Sequence, residues 1–193
     1  MNKNLNNKSL LVIFSGPSGV GKDTLLKEMK SLDPDLVVSI SATTRRPRSG
    51  ESHGVDYFFL THKEFIKAIN GDKFIEYVSY CGNLYGTPKK MIENFLDLGK
   101  IVILKIDVQG GLEIKKKMPE SLSIFVAPPS SEILSRRLYN RDFENNKQTK
   151  KRLVRSEFEI KHSNMYNHKV INDDVKKCSK RILEIIYNHK ESQ

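Results

Sequence analysis

The chain has 193 residues, with 33 Lys and Arg against 23 Asp and Glu and a formal net charge of +10. That length predicts one domain with a sizeable core, no apolar run reaches the 18 residues of a membrane span, and two cysteines, Cys81 and Cys178, make neither a disulfide framework nor a metal cluster. The charge suits an anionic partner, but no zinc-finger spacing or aromatic RNA-binding signature accompanies it, so nucleic acid is not expected; a reducing, cytoplasmic compartment is.

Met1 to Ser9 is rich in Asn and Lys and reads as a frayed tail, a poor signal peptide. The apolar run Leu10–Phe14 is a strand candidate. It leads into Gly16-Pro17-Ser18-Gly19-Val20-Gly21-Lys22-Asp23-Thr24 and then a helical stretch from Leu25 to Ser31. Strand, glycine-rich turn and helix start form the context of a phosphate-binding loop. Its N–H groups face a polyphosphate, and Lys22 adds a charge near the β- and γ-phosphates. Asp23 stands where a Ser or Thr hydroxyl usually meets Mg²⁺. A carboxylate is also a hard oxygen ligand, but it repels phosphate.

Further strands are expected at Leu36–Ile40, Ile101–Asp107, Leu122–Ala127 and Lys169–Ile171, with helices at Lys89–Leu98 and Ser131–Tyr139. This alternation predicts an α/β fold, a parallel sheet with helices on its faces. Ligands then bind at the carboxyl ends of the strands, where Lys22 and Asp107 fall. Residues 41–88 imply short strands and turns set between the second and third sheet strands. Residues 136–155, rich in Arg and Lys, read as a mobile hairpin or helical lid. Runs such as Lys115-Lys116-Lys117 read as a solvated face.

Ser41 to Tyr57 contains Thr43-Thr44-Arg45, Arg48, Gly50-Glu51, Gly54 and Asp56-Tyr57. With Phe74-Ile75-Glu76, Tyr85-Gly86, Ile106-Asp107, Gln109-Gly110, Ala127-Pro128-Pro129-Ser130 and Asn172-Asp173-Asp174, these residues make the chain resemble the guanylate kinases from about Leu10 to Asp174. The resemblance implies a P-loop core at about 8–40, 89–135 and 156–193, a GMP-binding insert at about 41–88 and a lid at about 136–155. It implies ATP-dependent, Mg²⁺-dependent phosphorylation of GMP, and of dGMP as a second substrate. The enzyme would be a monomer or homodimer without a membrane or nucleic-acid partner.

The residue types fit that chemistry. Arg45 and Arg48 can clamp one phosphate bidentately, and Tyr57 and Tyr85 can each donate a hydroxyl hydrogen bond. By resemblance these four, with Glu51 and Asp107, serve GMP. Guanine offers N1–H and N2–H₂ to a carboxylate, whereas adenine has an unprotonated N1. Glu76 matches the guanine-reading acid, and Ser41 and Thr87 match the hydroxyls near O6. ATP falls to Gly16–Thr24 and Asn172. Lys22, Arg45, Arg137, Arg141 and Arg152 match the cations that neutralise the transferring phosphoryl group. Asp23, Thr24 and Asp107 are the metal candidates, and Arg136 and Arg155 read as solvated rather than catalytic.

Two further positions depart from the family pattern. Asp142 replaces a glycine after the second lid arginine, and Lys105 replaces an acid two residues before Asp107. Lys105 is expected to offset the charge of Asp23; the rival expectation is that Asp23 caps its helix while Lys105 reaches solvent. The alternative to an enzyme is a non-catalytic guanylate-kinase-like interaction module. The retained Gly16–Lys22 loop argues against that reading.

Overall fold

The computed structural model describes residues 9–141 and 146–193, without the side chains of residues 141–151. A five-stranded, all-parallel sheet forms its centre. The strands are β1 (Leu10–Ser15), β2 (Val37–Val38), β7 (Ile101–Lys105), β8 (Leu122–Ala127) and β9 (His168–Ile171), in spatial order β2-β7-β1-β8-β9. Every residue of β1 and β8 is buried, as a central parallel strand requires when both faces are covered.

The alternation of β1 divides the core in two. Val12 and Phe14 point to helices α1 (Lys22–Leu32) and α7 (Val175–Glu191), where Leu25, Met29, Ile182 and Ile186 are buried. Leu11 and Ile13 point to the opposite face, against Ile92 of α3 (Lys89–Asp97) and Ile114 of α4 (Val108–Lys117). The expected fold, a parallel sheet with helices on both faces, is therefore the observed one.

Residues 42–88 build a second sheet, from β3 (Ala42–Thr43), β4 (Phe58–Phe59), β5 (Phe74–Tyr80) and β6 (Asn83–Pro88) in the order β4-β3-β6-β5. Helix α2 (His62–Asn70) enters through a capping box, with Thr61 accepting from the Glu64 N–H and Glu64 accepting from the Thr61 N–H. Phe65, Phe74 and Ala42 close a small core of their own. The β5–β6 hairpin turns on Cys81 and Gly82, both at positive φ (50° and 81°), as a two-residue turn of matching twist demands.

Two expectations need correction. The strand placed at Leu36–Ile40 holds only Val37 and Val38 in the sheet, because it is an edge strand paired on one side alone. The strand placed at Ile101–Asp107 stops at Lys105. Asp107 instead caps α4, its Oδ1 accepting from Gly110 N at 2.9 Å. The stretch left open as hairpin or helix is helical on both sides of the undescribed residues, as α5 (Ser131–Arg141) and α6 (Asn146–Lys161).

Candidate functional site

The carboxyl ends of β1 and β7 and the end of β9 open onto a cavity of about 500 Å³, whose far wall is the second sheet. This is where an open parallel sheet binds its ligands.

On the core side, Gly16 through Thr24 line the cavity in sequence. Gly16 has φ 147°, and a Cβ there would stand 2.3 Å from the Val126 carbonyl oxygen, so only glycine lets the loop pass β8. Gly21, in the left-handed region, precedes α1, and no side chain caps that helix start. Its first-turn amides keep the partial positive charge that attracts anions. The Lys22 Nζ donates to the Gly16 and Pro17 carbonyls, curling the loop around its own lysine. Burial lowers the pKa of Lys22 from its ordinary value, opposed by Glu159 and Asp23. Asn172, at the end of β9, donates to the Val20 carbonyl at 2.8 Å, and Arg137 of α5 donates to the same oxygen at 3.2 Å. Both residues line the cavity and brace the loop from behind.

On the opposite side, Arg45, Arg48, Tyr57 and Tyr85 converge. Arg45 stands 5.3 Å over the Tyr57 ring, and Tyr57 packs edge-to-face on Tyr85 at 6.2 Å. Glu51 does not line the cavity. It braces the arginines, with Oε1 2.9 Å from the Arg45 guanidinium and Oε2 accepting from Arg48 N at 2.8 Å. Burial disfavours its charge, but the hydrogen bonds from Arg45 and Arg48 win and lower its pKa.

Glu76 is buried in the cavity wall, at 5% exposure on β5. Thr87, buried on β6, donates to its Oε1 at 2.6 Å, while Oε2 has no protein partner among the described residues. Burial pushes this carboxyl up to about 7, with the Thr87 hydrogen bond opposing. A Cβ on Gly110 would come within 2.7 Å of Oε2, so the first turn of α4 leaves this oxygen its space. Ser41 lines the same recess; Thr87 stands behind Glu76 rather than on the wall.

Lys105 and Asp23 meet. Lys105 Nζ is 2.7 Å from Asp23 Oδ1, although 82 residues separate them in sequence. Lys105 is largely withdrawn from solvent, its side chain 19% exposed. Asp23 also lies in the first turn of α1, where an acid is favoured. Burial disfavours the Lys105 ammonium, yet Tyr57 and Asp23 raise its pKa overall.

Arg152 is buried at the cavity wall on α6. The Arg141 side chain and Asp142 lie outside the described residues. Sequence reasoning missed Glu159 and Tyr80, which also line the cavity. Burial pushes Glu159 up to about 7, opposed by the Lys22 charge. The signal was the spacing of Arg152, Ser156 and Glu159, a polar stripe on one helix face that is buried here. Arg155 corrects the solvated reading. Its guanidinium stacks 4.4 Å from the Tyr80 ring, lies 3.5 Å from Glu159 and donates to Gln109 at 3.3 Å.

No group of three or more His, Cys, Asp or Glu side chains is gathered for a metal among the described residues. The oxygens of Asp23, Thr24 and Asp107 share the cavity. Such a hard, sparse donor set fits a Mg²⁺ held mainly by nucleotide phosphates and water.

Comparison with known proteins agrees with this geometry. The guanylate kinase family model matches residues 8–189. The chain is 43% identical to a guanylate kinase of Prochlorococcus marinus over 94% of its length and 99% of that protein's. It is 44% identical to one of Clostridium perfringens, over 98% and 88%. In structure it resembles the guanylate kinase of Anaplasma phagocytophilum, with a TM-score of 0.78, 33% identity, and coverage of 94% and 86%. With Gly16–Thr24 and Arg45 and Arg48 lining one cavity, on a chain matched almost from end to end, this protein is a member of the guanylate kinase family.

Proposed function

We propose that the chain transfers the γ-phosphoryl group of ATP to GMP, giving ADP and GDP, with dGMP as a second acceptor. The observation that carries this reading is Glu76 Oε2, a buried acceptor without a partner among the described residues, in the cavity that Arg45 and Arg48 also line. A buried acceptor of that kind costs free energy until a donor arrives. Guanine brings two adjacent donors, N1–H and N2–H₂. Adenine turns a lone pair at N1 toward the ionised carboxylate, and that repulsion selects against it strongly.

The remaining groups then take roles by position. The loop amides and Lys22 hold the donor phosphates. Arg45, Arg48, Tyr57 and Tyr85 hold the acceptor phosphate, with Glu51 fixing both guanidinium groups. An acceptor oxygen attacks the γ-phosphorus in line, and no protein nucleophile is needed. Arg137, Arg141 and Arg152 approach from α5 and α6 as the lid closes and excludes water. Mg²⁺, when bound, supplies charge neutralisation at the donor phosphates, and Asp23, Thr24 and Asp107 would hold it. The insert is taken as about 41–88 and the lid as about 136–155. No helix among the described residues is long and apolar enough to cross a membrane. We place the enzyme in the cytoplasm, as a monomer or homodimer.

A coupled assay of ADP release with ATP and each of GMP, dGMP, AMP, CMP and UMP tests the assignment. Turnover with GMP and dGMP alone is expected; equal turnover with AMP would contradict it. The retained Gly16–Lys22 loop, with Lys22 Nζ bonded inside it, favours catalysis over the non-catalytic module.

A further inference from the structure

Lys105 occupies the seam between the two halves of the cavity. It ends β7, and its Nζ lies 2.7 Å from Asp23 Oδ1, on the first turn after the phosphate loop. The same Nζ lies 4.9 Å from the centre of the Tyr57 ring, and Arg45 stands over that ring at 5.3 Å. The cation therefore touches the first turn of the donor-side helix and the acceptor-side clamp at once. Resting on the reading above, we propose that Lys105 is a phosphate-binding residue of the reaction, which Asp23 holds in place without nucleotides and which moves onto substrate phosphate oxygens when they bind.

Three effects favour this role. An ammonium offers three donors on a flexible four-carbon stem, so its partner can be exchanged without moving the backbone. A polyphosphate on the loop repels the Asp23 carboxylate and attracts the ammonium, which favours that exchange. Two anionic substrates must also approach within bonding distance, and a cation between them reduces their repulsion as the phosphoryl group passes.

The test uses the full chain with Lys105→Met, which keeps an unbranched stem and removes the charge. Calorimetry without metal or ATP compares GMP with guanosine, which lacks the phosphate. GMP affinity should fall by about tenfold or more, as for a lost charged hydrogen bond. Guanosine affinity should stay within about twofold, and kcat/KM for GMP should fall by about 10²–10³-fold. Lys105→Arg should recover most of the GMP affinity. Equal weakening of GMP and guanosine would make Lys105 a structural residue and overturn the proposal. So would unchanged GMP affinity in Lys105→Met. Asp23→Asn should tighten GMP binding, because the ammonium no longer leaves a carboxylate; unchanged affinity, or a loss as large as that of Lys105→Met, would overturn the holding role of Asp23. Failure of the wild-type chain to phosphorylate GMP would instead sink the functional reading.

Discussion

Glu76 carries the selectivity argument at the scale of single residues, and its protonation makes that argument testable. Its carboxyl titrates ordinarily near 4.5 and is pushed up to about 7 by burial. The fold thus favours the protonated form. The stability this contributes is full below about pH 4.5 and is lost as pH rises through about 7. Guanine needs the ionised form, so base binding has the opposite trend. Guanosine affinity should rise by up to about tenfold per pH unit toward pH 7 and then level off. Glu76→Gln should remove that slope and raise the barrier for GMP by about 2–4 kcal/mol in kcat/KM. A slope that survives in Glu76→Gln would assign it elsewhere, with Glu159 the first candidate. Gly110→Ala probes the same oxygen by crowding it. Its Cβ would stand 2.7 Å from Glu76 Oε2, and kcat/KM for GMP should fall by about 10–100-fold while ATP affinity holds.

At the scale of elements, what was legible in the sequence follows from what is local. Gly16 to Thr24 could be read because a loop of that length carries its own instructions: glycines for the turn, a lysine, a helix start. The strands β1, β7 and β8 could be read because burial on both faces leaves unbroken apolar runs. The strand end at Lys105 could not, because the cap made by Asp107 competes with the sheet for the same residues. The Arg155–Tyr80–Gln109 contact was also out of reach. It joins α6, β5 and α4, and a polar helix face reads as solvated until tertiary packing covers it. Arg155→Ala should loosen that junction. An unfolding free energy lower by about 0.5–2 kcal/mol is expected in urea melts, and no change would mean that the contact contributes nothing. Glu51 and Thr87 were placed as substrate contacts from resemblance. In the structure Glu51 bonds to Arg45 and Thr87 to Glu76.

At the scale of the whole molecule, the proposed division is a core, an insert and a lid whose residues line one cavity. With donor and acceptor groups assigned to different elements, substrates that bind both sides should draw them together. Ligand-free and doubly liganded forms are expected to differ by rigid-body rotation of residues 41–88 and 136–155 against the core. The radius of gyration from solution scattering should fall on addition of both nucleotides, or of a bisubstrate analogue, and an unchanged value would argue against closure. All of this rests on the claim that the chain phosphorylates GMP by reading guanine. The most direct measurement is a competition: the enzyme, ATP and equimolar GMP and AMP in one vessel, with products separated by anion-exchange chromatography. The account predicts GDP, with ADP matching it mole for mole as the spent donor. Consumption of AMP at a rate comparable to GMP would contradict it.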